Sequence, residues 1–368
     1  MKIIDIRTTV LESRYDRPIR FAHMDLSARY IVLLEVVTDE GIVGLADVDG
    51  SPAGDLAVVS LIENTFKPVL VGMDPLRRGA LHDRMFELLH RLGRYQSLES
   101  YVLGAIDVAL WDIAGKAVGR PVCELLGQRR SEVQAYASLG RLEAANIGAE
   151  VERLASQGFA GVKIRIGFGD GTDRDLVARA RAALGEEPSP RLMADVNSGW
   201  RGAHAIQSAR ALEEYDLFWL EEPLMPWSIE ASARLAAAVG TPIALGEHEI
   251  FNRYDAKRIL DAEAADILQP DLRQGISECL RIAHLAEACD VPCVPHFFGP
   301  AVRFSAMLHL LGAIDNYLLC EYPVAHDPIR FELTDPPMVA ENGIVAVPTG
   351  PGLGVELNRR TVERYRVK

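Results

Sequence analysis

The chain has 368 residues, 49% of them hydrophobic, and a formal net charge of −13. That length and apolar content fit one large or two smaller packed domains and exclude a disordered chain. The negative balance weighs against nucleic acid and anionic membrane as partners, and no apolar stretch approaches the roughly 20 residues of a membrane span.

The first residues, Met-Lys-Ile-Ile-Asp-Ile-Arg, alternate as a strand and lack the long apolar region of a signal peptide. The five scattered cysteines form no Cys-x-x-Cys pair. Together these features predict a cytoplasmic protein with reduced thiols. Cys289 and Cys293 flank a predicted strand and are read as packing.

A strand is predicted over 3–11. Two β-rich runs, 30–38 and 42–48, are joined by Asp39-Glu40-Gly41, a hairpin signal. Val102, Ile106, Ala109, Leu110 and Ile113 recur at helical spacing and predict a helix over 98–118, stopped by Gly119 and Pro121. From about Val133 the pattern changes. Short apolar runs at 133–137, 162–166, 192–196, 217–220, 243–245, 265–268, 292–294 and 317–320 alternate with helical stretches. Such alternation predicts a parallel sheet, and eight units predict a closed (β/α)8 barrel. After Glu321 the chain is Pro-rich, with one further strand over 343–347. The expected architecture is α/β: a capping α+β domain over 1–125, a TIM-like barrel over 126–325, and a tail over 326–368 that returns to the cap.

Three carboxylates follow successive apolar runs: Asp195, Glu221 and Glu247. They are evenly spaced, since 221−195 and 247−221 are both 26. One strand–helix unit fits that length, and residues ending successive barrel strands converge on one face. Converging carboxylates repel unless a cation holds them, and hard oxygen ligands suit Mg2+. Taken singly, each could instead cap a helix or lie solvated in a loop.

Lys163 and Arg165 share one face of the second predicted strand. If Ile164 faces the helical shell, both cations face the barrel lumen and need anions there. Asp271 and His296 end neighbouring strands, where a carboxylate can orient an imidazole and raise its basicity. Glu321 ends the eighth strand and could donate or accept a proton opposite the cations.

The stretches Lys163-Ile-Arg165, Asp195-Val-Asn197, Glu221-Glu222-Pro223, Gly246-Glu247-His248 and Gln269-Pro270-Asp271, with His296 and Glu321, resemble the mandelate racemase subgroup of the enolase superfamily. The resemblance covers almost the whole chain. It implies Mg2+ on Asp195, Glu221 and Glu247, with Glu222 replacing Glu221 if the strand phase differs by one. It also implies a substrate carboxylate on the metal, abstraction of the proton α to it, and an enediolate stabilised by metal and Lys163. Asn197 and His248, within the matching stretches, are expected substrate contacts. The N-terminal loop with Arg20 and His23 would cover the site and read the far end of the substrate.

One position departs from the subgroup, which usually has Lys where this chain has Arg165. Guanidinium, with a pKa above about 12, is a poor base. Proton abstraction then falls to His296 with Asp271, and a one-base elimination fits better than a two-base racemisation. The segments 163–169 and 350–358 are similar to acid-sugar dehydratases and aldarolactone cycloisomerases. The expected activity is a Mg2+-dependent sugar-acid dehydratase, with a cycloisomerase and then an epimerase as alternatives. The expected partner is a small-molecule carboxylate, and the expected assembly a homo-oligomer. A glycoside hydrolase is the competing class, but paired-carboxylate hydrolysis needs neither metal nor an inward Lys/Arg pair.

Overall fold

The computed structural model describes residues 1–20, 25–50, 54–185 and 191–367. Its N-terminal part is an antiparallel sheet of β1 (Ile3–Arg20), β2 (Asp25–Thr38) and β3 (Val43–Asp49), in that order. The hairpin between β2 and β3 turns at Gly41, whose φ of 80° is costly for residues with a side chain. β1 runs well past the predicted 3–11. It pairs with β2 from Ile3 to Arg14 and, after an irregularity, again at Ile19 and Arg20. The helix Leu98–Val118 has the predicted bounds and ends on Gly119 in the left-handed conformation.

The barrel strands are β4 (Glu132–Ser138), β5 (Gly161–Arg165), β6 (Arg191–Asp195), β7 (Trp219–Glu221), β8 (Ile243–Leu245), β9 (Ile267–Leu268) and β10 (Cys320–Pro323). They pair in parallel, and β10 returns to β4 with Glu321 opposite Tyr136. The run predicted over 292–294 forms single parallel bridges instead of a ladder: Leu268 to Cys293, Cys293 to Tyr317, and Asp271 to His296. Pro292 and Pro295 explain this, because neither has an N–H to donate. The last barrel strand is shifted from 317–320 to Cys320–Pro323. Helices fill the connections, and the fold is a TIM-like barrel with an N-terminal cap.

The tail returns in stages. β12 (Ile344–Ala346) pairs antiparallel with β4, and β11 (Thr334–Asp335) pairs with β13 (Glu356–Leu357). Arg366 then bridges Leu11, and the Val367 N–H donates to the Val10 carbonyl at 3.0 Å.

Strand alternation builds the site. Tyr136, Met193, Trp219, Ala244, Ile267, Val294 and Leu319 form one buried cluster that fills the barrel interior. Two residues further along each strand, on the same face, stand Ser138, Asp195, Glu221, Gly246, Gln269, His296 and Glu321. A polar layer therefore sits directly on an apolar one.

The cap presses closely on the barrel. A Cβ on Gly104, in the helix Leu98–Val118, would lie 2.0 Å from the Arg273 carbonyl oxygen and 2.6 Å from the Gln274 carbonyl carbon. Backbone cannot yield as a side-chain tip can. Gly104→Ala should lower the thermal unfolding midpoint, with an overpacking cost of about 1–3 kcal/mol. An unchanged midpoint would show that the helix can slide off the 271–275 segment. All five cysteines are free, with Cys289 exposed and the others buried. Among the described residues no helix is long and apolar enough to cross a membrane.

Candidate active site

The polar layer is dense with charge. Lys163 is fully buried, its Nζ 5.5 Å from the centre of the Tyr136 ring. It contacts Glu221 and lies 2.7 Å from Glu321 Oε1 and 3.9 Å from Asp195 Oδ2. Arg165 pairs with Asp195 across one rung, and Asp195 stands opposite Glu221 on the next. Both cations of β5 thus face the barrel acids. Glu221 Oε2 also accepts from Trp219 Nε1 at 3.0 Å and Gln269 Nε2 at 2.8 Å. Glu222, with φ of 42°, turns the other way and accepts from the His248 backbone N–H at 3.0 Å. Its Oε2 lies 2.8 Å from His248 Nδ1. Such a φ is rare outside glycine, and Asn197 and Ser198, after β6, share it.

The third carboxylate is not equivalent to the other two. Gly246, not Glu247, holds the position in phase with Asp195 and Glu221. A Cβ there would fall 2.4 Å from the Gln269 carbonyl oxygen. Glu247, one residue on, leans across the rim. Its Oε1 lies 3.3 Å from Arg273 Nη2 and its Oε2 3.1 Å from His296 Nε2. Among the described residues two groups of three ligand-type side chains have atoms within 4.8 Å of one another: Glu222–Glu247–His248 and Glu247–Asp271–His296. Asp195, Glu221 and Glu247 do not form such a group. The even spacing of 26 residues therefore does not mean equal placement, because Gly246 takes the in-phase position and Glu247 falls one residue later.

His296 Nδ1 lies 2.7 Å from Asp271 Oδ2. Burial alone would raise the Asp271 carboxyl, but Arg273 and His296 hold it far below the usual carboxylate range. Burial would lower His296, but Glu247, Glu321 and Asp271 raise it above the ordinary imidazole value. The same carboxylates that strengthen it as a base enlarge its protonated share near neutrality. Glu321 is fully buried, and its Oε2 accepts the Phe297 N–H at 2.9 Å and lies 4.0 Å from His296 Nε2. Burial pushes its carboxyl up, but Lys163, His296 and Arg165 hold it below its usual value. Glu321 thus stands beside Lys163 at the end of its strand.

A cavity of about 730 Å³ opens between the barrel mouth and β2. Arg165, Asn197, Glu247, His248, Asp271 and His296 line it on the barrel side. From the cap come Asp25, Ser27, Arg29, Tyr30 and Asp49, and an apolar wall is made by Leu26, Met225, Pro226, Trp227 and Phe298. Arg20 is not among the lining residues. It is exposed, 3.9 Å from Asp25 and 3.6 Å from Glu143. His23 lies outside the described residues.

Sequence reasoning missed Arg273 and Arg29, and it quoted Gln269 within a matching stretch without giving it a role. Gln269 was available from strand phase, two residues after Ile267. Arg273 Nε lies 2.9 Å from Asp271 Oδ2, and Arg29 Nε 2.9 Å from Asp327 Oδ2. No local pattern announces either.

Residues 146–361 match the family model for an enolase C-terminal domain-like fold. Residues 5–127 match that of the mandelate racemase / muconate lactonizing enzyme N-terminal domain. The chain belongs to the mandelate racemase / muconate lactonizing enzyme family. It is an enzyme of the enolase superfamily, as its strand-end motifs predicted. It is 36% identical to a D-galactarolactone cycloisomerase of Agrobacterium fabrum, with 100% of this chain and 99% of that protein covered. It is also 36% identical to a D-galactonate dehydratase of Ralstonia nicotianae, with 91% of each covered. A racemase of Streptomyces coelicolor A3(2), solved with bound magnesium, superposes with a TM-score of 0.91 at 26% identity, covering 99% of this chain and 100% of that one. Members of this superfamily bind Mg2+. The donor set here fits such an ion: the buried carboxylates Asp195, Glu221, Glu222, Asp271 and Glu321, with Glu247 at the rim, outnumber Lys163, Arg165 and Arg273.

Proposed function

We propose that this enzyme is a Mg2+-dependent dehydratase of a sugar acid, with His296 as the base. The observation that carries the reading is the His296–Asp271 pair on the cavity wall beside Glu247, while Lys163 is sealed between Glu221 and Glu321. Asp195, Glu221 and Glu247 would hold the ion. When bound, Mg2+ supplies positive charge that draws the substrate carboxylate and offsets the charge developing on it.

The residues of the chain do the rest. His296 Nε2 takes the proton α to the carboxylate, and Asp271 on Nδ1 fixes the tautomer and steadies the imidazolium. The C–H electron pair becomes the new double bond as the β C–O bond breaks. The departing hydroxyl takes the proton back from His296 and leaves as water, and the enol relaxes to a 2-keto acid. Lys163 and Arg165 would stabilise negative charge developing nearby. Asn197 and His248 are the proposed substrate contacts.

A cycloisomerase reading shares the first step, but the group expelled is the ring carboxylate of a lactone. The apolar wall of Leu26, Met225, Pro226, Trp227 and Phe298 favours it, because a ring presents a C–H face that packs on such a surface. The coverage of the galactarolactone cycloisomerase points the same way. The named dehydratases among the relatives are more numerous.

A panel of aldonic acids, aldaric acids and their lactones, assayed with Mg2+ for 2-keto acid and for ring opening, tests the proposal. Formation of 2-keto acid from open-chain acids is expected. Turnover confined to lactones would favour the cycloisomerase, and no turnover of any sugar acid would overturn both.

A further inference from the structure

The segment that follows the base is gripped by arginines from three directions. Phe297 packs 4.8 Å from Phe304, ring centre to ring centre, and the buried guanidinium of Arg330 lies 3.5 Å over Phe304 and 5.7 Å from Phe297. Phe298 is held from the cap: Arg29 Nη1 donates to its carbonyl at 3.1 Å, and the same guanidinium lies 4.3 Å over its ring. Gly299 lies against Arg303, since a Cβ there would fall 2.5 Å from Nη2. Arg303 in turn holds Asp49 of β3 at 2.6 Å.

Asp327 ties two of these grips together. Its Oδ2 accepts from Arg29 Nε at 2.9 Å and from the Tyr15 hydroxyl at 3.0 Å. Its Oδ1 accepts the Ile329 N–H at 3.0 Å, and its carbonyl accepts the Arg330 N–H at 2.9 Å. Asp327 is buried and is not among the residues lining the cavity. It can therefore reach the chemistry only through its neighbours.

We propose that Asp327 is a positioning residue for His296: by orienting Arg29 it fixes the Phe298 carbonyl, and so the chain immediately after the base. His296 is already anchored on one side, where its N–H donates to the Pro270 carbonyl at 3.1 Å and Nδ1 meets Asp271. The Arg29–Phe298 contact supplies the other side, and it comes from the cap. Docking of β2 on the barrel is thereby coupled to the aim of the imidazole. The physical demand is accuracy, because a displacement of about 1 Å at a reacting group can cost about 100-fold in rate. The proposal rests on the reading of His296 as the base.

Asp327→Asn tests it, keeping shape and the acceptor for Ile329 while removing the charge that orients Arg29. Deuterium uptake of backbone amides, followed by mass spectrometry without substrate, should rise in the segments 296–299 and 25–30. On D-galactonate or D-galactarolactone, kcat should fall about tenfold or more with KM changed by less than about twofold. Tyr15→Phe removes the other bond to Asp327 Oδ2 and a contact of that hydroxyl with Arg29, but it keeps the Asp327 charge on Arg29 Nε and the Arg29–Phe298 bond, so it should leave kcat and the uptake of 296–299 unchanged. Unchanged uptake and kcat in Asp327→Asn, or an equal loss in Tyr15→Phe, would overturn the assignment. Should Asp327→Asn fail to fold, Arg29→Lys serves: it keeps the charge pair but lacks the fork that also reaches Phe298. An unaltered kcat in that variant would be equally fatal. The two layers separate cleanly. If His296→Asn keeps exchanging the substrate α-proton, the base assignment fails. If it stops while Asp327→Asn behaves as wild type, only the positioning role fails.

Discussion

His296→Asn should stop exchange of the substrate α-proton with solvent deuterium. An amide cannot take a proton near neutrality, and a positioned general base contributes about 10²–10⁴-fold. The variant should still fold, because Asn can keep a hydrogen bond to Asp271, whose charge is also met by Arg273. Arg165→Lys is the companion experiment. A lysine can lose its proton when buried, whereas a guanidinium does not. Arg165→Lys should therefore retain exchange and can add exchange on the opposite face of the substrate. A proton nuclear magnetic resonance time course in deuterated buffer reads both. Normal exchange in His296→Asn with none in Arg165→Met would reverse the assignment. Efficient racemisation of a substrate with no β-leaving group would show that a second base acts.

Removing one carboxylate of the proposed ion site should abolish divalent-cation binding and turnover together. Asp195→Asn replaces a charged oxygen ligand with a neutral amide. Its effect on Mg2+ affinity should exceed the roughly 10–100-fold typical of an outer-shell partner. Titration calorimetry measures the affinity, and chelation followed by Mg2+ restoration measures the dependence of activity. Asp195 has a second duty, since Arg165 pairs with it deep in the barrel. Stranding a buried charge costs about 3–5 kcal/mol, so thermal unfolding of Asp195→Asn should fall as well. Glu247→Gln separates the two effects, because Glu247 sits at the rim, where loss of charge threatens folding less. It should bind the ion weakly while unfolding near the wild-type temperature. Full activity of the wild type in excess chelator would remove the metal from the reaction.

Much of this enzyme is written in short-range pattern. The alternation of apolar runs and helical stretches specifies the barrel, and periodicity with Gly119 and Pro121 specifies the helix Leu98–Val118. These signals are local because backbone hydrogen bonding and side-chain direction repeat over a few residues. The strand-end acids, the inward pair Lys163 and Arg165, and the Asp271–His296 partnership follow from the same alternation. Tertiary structure decided what periodicity cannot express. The Gln269 backbone leaves no room for a side chain at the in-phase position, which is Gly246, and Glu247, one residue on, leans toward Arg273 and His296. Arg20 pairs with Glu143 and Asp25 on the surface. Arg29 meets Asp327 across 298 residues of chain. Contacts of that kind exist only once the cap has docked, since their partners share no repeat and no neighbourhood along the chain. The sequence by itself determined which chemical groups face the barrel mouth; the packing of cap on barrel decided how each is aimed.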